Sequence, residues 1–279
     1  MPRTVLVASL EHIIVHENGL EKAVTGGLGK VAGLLCDWHP GALICVHAWF
    51  QTNNYAYMTK VEPIHAVVSG KPMICQVYKY ERPMPPQMEI IEGEVADQVE
   101  GLDAPPKITF YVVDHPVFRN RGDIYPVPQT RKSTLQCYAL WSQAVARLID
   151  RLQPDLFHCP DFHAAMALMY VERPLPITIM LHNAEYQGSI ATQHMGRNEA
   201  LWFGEIFDLP PERVRQECFC EGKFCMLKPA VDHARRYQAG FGVCAVSRNY
   251  ALEAAQKHAV LWGLPEVRGI ENCMPETER

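Results

Sequence analysis

A cluster of glycines near the amino terminus has the composition of a ligand-binding turn. Thr25-Gly26-Gly27-Leu28-Gly29-Lys30-Val31 opens a segment with helical character. Clustered glycines let the backbone approach a ligand, and the N–H groups at a helix start favour an anion. The same pattern also suits a glycine turn that packs a helix closely. We predict a phosphate or sugar site here.

Two nucleotide-binding motifs can be compared with this cluster. A Walker loop needs a Gly and a Ser or Thr where this chain has Val24 and Val31, so that motif is excluded. Gly27, Gly29 and Gly33 mimic a dinucleotide fingerprint, although the cluster begins about 15 residues after the first predicted strand. An NAD(P)-dependent oxidoreductase is therefore a remote alternative.

A second cluster closes the run from Pro154 to His163, where Asp161 and His163 follow a predicted strand. Both side chains could face a cleft. Asp161 could instead be the N-cap of a following helix through Ala164 and Met166. His158, Asp161 and His163 also suggest a metal site, but further ligands at suitable spacing are missing from the sequence, and we predict no metal.

A third cluster follows the apolar run Ile177–Leu181 and is dense in hydrogen-bonding groups, which suits a hydroxyl-rich ligand. A single His after a strand is also a common structural residue. The cluster consists of His182, Asn183, Ala184, Glu185, Tyr186, Gln187 and Gly188.

The elements around these clusters predict an α/β fold. Short apolar runs alternate with helical patterns, of which the best extends from Ser133 to about Leu152. Such alternation favours a doubly wound, mostly parallel, Rossmann-like sheet with ligands at the carboxyl ends of its strands, where all three clusters fall. We expect an irregular surface loop from Glu81 to Pro106. The predicted strands are Thr4–Leu10, Leu43–Ala48, Ile64–Val68, Met73–Tyr80, Ile108–Val113, Leu156–Cys159, Ile177–Leu181 and Gly242–Val246.

Composition excludes several classes of protein. Of the 279 residues 48 % are hydrophobic and 20 % charged, with a net charge of -5 and no basic run, so a nucleic-acid partner is not predicted. No apolar run has the roughly 20 residues of a membrane-spanning helix. Cys218, Cys220 and Cys225 lack a standard zinc spacing, and with no secretory leader we predict reduced thiols in the cytoplasm.

Together these clusters resemble the catalytic domain of bacterial glycogen synthases and plant starch synthases, glycosyltransferase family 5. The glycine cluster is similar to that family's Lys-Thr-Gly-Gly-Leu, the Pro154 to His163 run to its Pro-Asp-x-x-His-x-His-Asp-Trp-His, and His182 to Gly188 to its His-Asn-x-x-Tyr-Gln-Gly. The stretch Gly242 to Tyr250 is similar to the end of that family's first domain. The synthase region of fungal-type cell-wall α-1,3-glucan synthases shares further segments, namely Asp114 to Arg119, Gln238 to Gly242 and Leu261 to Leu264.

The resemblance implies that residues 1–279 form one domain, the amino-terminal, acceptor-side half of a GT-B glycosyltransferase, without the carboxyl-terminal nucleotide-binding domain. It implies that His182 and Asp161 are catalytic, and that no metal or other cofactor is needed. The implied partners are a UDP- or ADP-glucose donor, an α-glucan acceptor and the missing domain. The residues implied to bind substrate are Thr25, Gly26, Gly27, Leu28, Gly29, His163, Asn183, Tyr186, Gln187 and Gly188.

Two positions depart from the family pattern. Val24 stands where the family has a donor-contacting Lys, and Lys30 where bacterial members have an Asp. The sequence therefore leaves the donor open between UDP-glucose and ADP-glucose. The other function that we keep is a non-catalytic carbohydrate-binding or regulatory module, and the chain could be the cytosolic part of a larger membrane-associated synthase.

Overall fold

The computed structural model describes residues 4–16, 19–24, 27–38, 41–49, 56–83, 107–119, 125–126, 130–192 and 198–271. In chain order the strands are β1 (Thr4–Ala8), β2 (His12–His16), β3 (Gly19–Val24), β4 (Ala42–Ala48), β5 (Thr59–Val68), β6 (Lys71–Pro83), β7 (Lys107–Asp114), β8 (Leu156–Pro160), β9 (Ile177–Leu181), β10 (Ser189–Ala191), β11 (Phe219–Cys220), β12 (Lys223–Cys225), β13 (Val243–Ala245) and β14 (Arg268–Gly269). The α-helices are α1 (Gly27–Trp38), α2 (Pro116–Arg119), α3 (Arg131–Leu152), α4 (Glu199–Phe207), α5 (Pro211–Glu217), α6 (Lys228–Tyr237) and α7 (Arg248–Lys257).

Nine strands form one sheet in the order β14-β13-β9-β8-β1-β4-β7-β6-β5. Neighbours from β14 to β7 are parallel, and β6 pairs antiparallel with β7 and β5. The chain winds outward from β1 through β4 to β7, then returns to β8 on the other side of β1. The winding therefore reverses between β1 and β8, where doubly wound sheets open a crevice for ligands.

Apolar residues cover both faces of the sheet. Leu6 and Ala8 of β1 face the larger core, while Val5 and Val7 face a smaller one with Leu43 of β4. Successive side chains of a strand point to opposite faces, so a central parallel strand is apolar throughout. The outermost strand, β5, instead alternates buried and exposed residues towards its end. These patterns confirm the predicted doubly wound α/β fold.

Helix α3 fills the larger core and begins earlier than predicted. Its N-cap is Thr130, whose hydroxyl accepts a hydrogen bond from the Ser133 N–H at 3.1 Å, while the Ser133 side chain caps in return. This capping box starts the helix at Arg131, two residues before the predicted Ser133. The fully buried Trp141 meets the ring of Phe118 edge-on at 6.3 Å, which fixes α3 against the segment after β7.

All eight predicted strands are present, and their ends differ from the predicted ones by at most five residues, the largest difference being the start of β5 at Thr59. The sequence prediction missed the β2–β3 hairpin, which fills the interval between β1 and α1. A dinucleotide fingerprint needs a direct turn from strand to helix, so this hairpin argues against the oxidoreductase alternative. The predicted loop from Glu81 to Pro106 was wrong for residues 81–83, which pair in β6, and its remainder lies outside the described residues.

None of the helices that the structure describes combines the length and the apolar character needed to cross a bilayer.

The three cysteines near β11 and β12 are not paired in disulfides. Cys218, Cys220 and Cys225 carry free thiols, and burial raises the pKa of each.

Candidate functional site

A cavity of about 700 Å³ opens at the point where the winding of the sheet reverses. Six predicted site residues line it, from the start of α1, the end of β8 and the end of β9: Leu28, Asp161, His163, His182, Asn183 and Tyr186. Six other residues complete the wall: Glu11, Val31, Tyr125, Tyr138, Phe162 and Val246. Segments that are distant in sequence thus meet in one cavity.

Asp161 organises the floor of this cavity. It directly follows β8 with a φ of 51°, a left-handed conformation that Asp tolerates better than most residues. Its Oδ1 accepts hydrogen bonds from the backbone N–H groups of His182 at 2.8 Å and Asn183 at 3.0 Å. The short 3-10 helix Ala165–Met169 has no side-chain cap. The Asp161 side chain therefore holds the loop after β9 and caps no helix.

Burial controls the charge of Asp161. It raises the pKa of this carboxyl to about 6, since the desolvation of the charged form outweighs the two N–H donors, and the charge of Glu11 raises the pKa further. Asp161 is consequently mostly ionised at neutral pH but takes up a proton in mildly acidic solution.

His182 is fixed by its backbone and lines the cavity through its side chain. Burial lowers the pKa of its imidazole to about 4, so the ring is neutral at pH 7. Two residues further along the same loop, the N–H of Ala184 donates a hydrogen bond to the hydroxyl of Tyr250 on α7 at 2.6 Å. The backbone of the loop is thus held from both sides, and the neutral imidazole of His182 can exchange hydrogen bonds with a ligand hydroxyl.

His163 lies deeper in the wall between two aromatic rings. Tyr125 stacks on it with a centroid distance of 4.7 Å, and Phe162 lies 4.3 Å away. Burial, followed by the neighbouring His182, lowers the pKa of His163 to about 3. Its Nδ1 is buried and has no hydrogen-bond partner among the described residues. His163 lines the cavity, but this nitrogen is closed to solvent.

The buried His163 should make the protein less stable in acid. In the unfolded chain His163 binds a proton below its ordinary pKa of 6.5, whereas in the folded protein it stays neutral to about pH 3, so stability falls as the pH falls from 6.5. We expect the loss of unfolding free energy between pH 8 and pH 5 to be about 2 kcal/mol smaller in His163→Gln than in the wild type. Urea unfolding at both pH values measures this. His65→Gln, exposed on β5, is the control, and an equal loss in wild type and His163→Gln would contradict the prediction.

The glycine cluster is partly outside the described residues, which include neither Thr25 nor Gly26. Gly27 is the first residue of α1, and Leu28 lines the cavity. The N–H of Gly29 donates to Oε2 of Glu11 at 3.0 Å. One N–H of the helix start is thus satisfied by a carboxylate of the protein itself, which the sequence analysis did not foresee.

Of the three remaining predicted site residues, Tyr186, Gln187 and Gly188, one lies in the cavity wall and two do not. Tyr186 is 69 % exposed and lines the cavity. Gln187 donates from Nε2 to the Ala184 carbonyl at 3.0 Å, and neither it nor Gly188 is part of the wall. Gly188 has a φ of +62°, and a Cβ there would lie 2.6 Å from Phe162 and Met226. The backbone turn and this close packing explain the glycine without a ligand.

Sequence reasoning missed Glu11 and Tyr125. Glu11 lies three residues beyond the end of β1, so the rule that ligands sit at the carboxyl ends of strands could have identified it. Tyr125 lies between α2 and α3 in a segment without a periodic pattern, and no signal in the sequence pointed to it. Among the described residues, no group of three or more His, Cys, Asp and Glu side chains is arranged to hold a metal ion.

The known proteins that resemble this chain in sequence are starch, glycogen and α-glucan synthases. The starch synthase catalytic domain family matches residues 16–267. Cell wall alpha-1,3-glucan synthase mok11 of Schizosaccharomyces pombe is 27 % identical over 277 residues, which cover 98 % of this chain and 10 % of that protein. Glycogen synthase 2 of Rhizobium meliloti is 27 % identical over 187 residues, 61 % of this chain and 33 % of that protein. The chain thus spans about a tenth of the first relative and a third of the second.

Several solved structures are also similar, among them that of trehalose-6-phosphate from E. coli bound with UDP-2-fluoro glucose. The identity is 13 %, and the match covers 73 % of this chain and 38 % of that one. A TM-score of 0.31 is too low to establish a common fold, so the fold class is assigned from the sheet topology described above.

Proposed function

Because the chain belongs to the starch synthase catalytic domain family, we propose that it is the acceptor-side half of a retaining α-glucan synthase. In this proposal residues 1–279 form one amino-terminal GT-B domain. A carboxyl-terminal domain completes the enzyme and binds most of the nucleotide. The whole transfers glucose from UDP- or ADP-glucose to a growing α-glucan in the cytoplasm.

The convergence of three sequence-distant motifs on one cavity carries this proposal. Leu28, Asp161 and His182 belong to the three motifs, and all line the crevice where the sheet winding reverses. A cavity of about 700 Å³ is within the range typical of small-molecule sites. Its hydrogen-bonding groups and aromatic rings suit a sugar.

The chemistry assigned to this half is binding and orientation of the transferred glucose. The neutral imidazole of His182 would exchange hydrogen bonds with the transferred glucose while positive charge develops on the sugar ring. Asp161 would hold the loop that carries His182 in position. Asn183 and Tyr186 would contact the sugar or the acceptor at the exposed side of the cavity. Groups arranged before the reaction stabilise a transition state without reorganising. Cations for the departing diphosphate would come from the second domain.

Incorporation of labelled glucose into an α-glucan primer tests the proposal. UDP-glucose and ADP-glucose are each supplied to this chain and to the proposed two-domain protein, referred to below as the full-length protein. We expect transfer by the full-length protein from one of the donors, and none by the chain alone. If the folded full-length protein binds glucan but transfers glucose from neither donor, the proposal is wrong and the carbohydrate-binding module takes its place.

A further inference from the structure

Helix α7 contacts the loop after β9, which carries His182, at two points. Tyr250 in the first turn of the helix accepts the N–H of Ala184 at 2.6 Å, and Lys257 at its end pairs with the carboxylate of Glu185. Among the residues that the structure describes, α7 contributes none to the cavity wall. The helix therefore reaches the loop without being part of the ligand site.

The two contacts differ in their surroundings. Lys257 and Glu185 are each about half exposed, so their ion pair contributes little to the position of the loop. Ala184 is only 1 % exposed, and the ring of Tyr250 packs against the larger core. An N–H group that loses its acceptor in such a place costs more than the bond itself contributes. The hydroxyl of Tyr250 is therefore the contact that holds the loop.

Tyr250 is itself held firmly. Its N–H donates to Oγ of Ser247, the N-cap of α7, at 3.1 Å. A Cβ on Gly269 would lie 2.3 Å from the Cα of Arg248, so β14 packs directly against the start of the helix. The N–H of Arg248 also donates to Oε1 of Glu271 at 3.2 Å. The first turn of α7 is thus fixed to the edge of the sheet.

Three successive N–H groups of the loop are bound by side chains from two different elements. Asp161, after β8, accepts those of His182 and Asn183, and Tyr250 on α7 accepts that of Ala184. A loop held by one side chain alone could turn about that point. The second acceptor removes this freedom and fixes the direction in which the side chains of His182 and Asn183 enter the cavity wall.

We propose that Tyr250 is a positioning residue of the proposed transferase: its hydroxyl fixes the loop that places His182 in the cavity wall, although Tyr250 itself lies outside that wall. The inference rests on the proposed function and deepens it, because it makes the geometry of the sugar site depend on a helix that does not touch the sugar.

NMR titration of the His182 imidazole in this chain tests the proposal. Tyr250→Phe keeps the ring in the core and removes only the acceptor oxygen. Burial lowers the pKa of His182 to about 4, so about a tenth of the wild-type rings are protonated at pH 5. A loosened loop admits water and raises this pKa, and we expect at least about a quarter of the rings to be protonated at pH 5 in the variant. A residue that only stabilised the fold would change unfolding but not the titration of His182 in the folded protein.

A matched variant controls for the loss of a tyrosine hydroxyl. Tyr237 on α6 is 51 % exposed, and Tyr237→Phe should leave the titration of His182 as in the wild type. The proposal is wrong if Tyr250→Phe leaves the protonated fraction at pH 5 unchanged, or if Tyr237→Phe raises it as much.

Kinetics of the proposed full-length protein provide the second readout. We expect Tyr250→Phe to lower kcat about tenfold and to change the KM for the donor less than about threefold, because orientation of the sugar is lost while the second domain still binds most of the nucleotide. A wild-type kcat in this variant would overturn the proposal. If the wild-type full-length protein transfers no glucose, the proposed function fails, and the titration of His182 in this chain still decides whether Tyr250 positions the loop.

Discussion

Glucosyl transfer by the proposed full-length synthase is expected to fall about 100- to 1,000-fold when His182 is replaced by Ala. The imidazole is neutral at pH 7 because burial lowers its pKa to about 4, and its backbone is fixed by the carboxylate of Asp161. Removing one pre-arranged hydrogen-bonding group from an active site typically costs a factor of this size. The rate of labelled glucose incorporation at saturating donor measures the effect.

A matched variant separates this effect from the loss of any histidine. His65 is exposed on β5, at the edge of the sheet, and His65→Ala should retain the wild-type rate. Both variants should unfold at similar urea concentrations. Retention of more than a tenth of the activity by a folded His182→Ala protein would remove His182 from the proposed catalytic residues.

Asp161→Ala is expected to lower the free energy of unfolding by about 2 to 4 kcal/mol, while Asp161→Asn lowers it by less than about 1 kcal/mol. Alanine leaves the N–H groups of His182 and Asn183 without their acceptor in a partly buried place. It must also adopt a φ of 51°, which costs about 1 kcal/mol for a residue with a Cβ. Asparagine keeps an Oδ1 acceptor and tolerates this φ.

The pKa of Asp161 affects both comparisons with the wild type equally, because neither Ala nor Asn ionises. Because burial raises this pKa to about 6, the contribution of Asp161 to stability is largest below its ordinary pKa of 3.8 and is lost as the pH rises through 6. Ala and Asn both avoid that loss, so the difference between the two variants reflects the Oδ1 acceptor and the backbone conformation. Urea unfolding at pH 7 compares the three proteins, and equal destabilisation by Ala and Asn would show that the Oδ1 hydrogen bonds do not hold the loop.

Much of the fold could be predicted from local patterns. All eight predicted strands are present, because continuous apolar runs such as Thr4–Ala8 suit a central parallel strand. Helix α3 was evident from its apolar residues at three- and four-residue steps. The β2–β3 hairpin escaped prediction, as did the very short strands β10 to β12 and β14, since a few residues show no clear period.

The candidate site was predictable to a lesser degree. Strand ends pointed to Asp161, His163 and His182, and the structure brings them into one cavity. Their catalytic or binding roles remain predictions. Gln187 and Gly188 were chosen by motif, and the structure gives them a hydrogen bond within the loop and a close packing contact instead of a place in the wall.

By itself, the sequence determined which segments become strands and helices and which polar residues follow them, because those properties depend on near neighbours in the chain. Only the tertiary structure decided that Glu11 meets Tyr125, 114 residues away, and that both close the wall beside His163. That meeting depends on the order of the strands, with β1 between β4 and β8. Strand order is set by the packing of the whole core, which no local pattern contains.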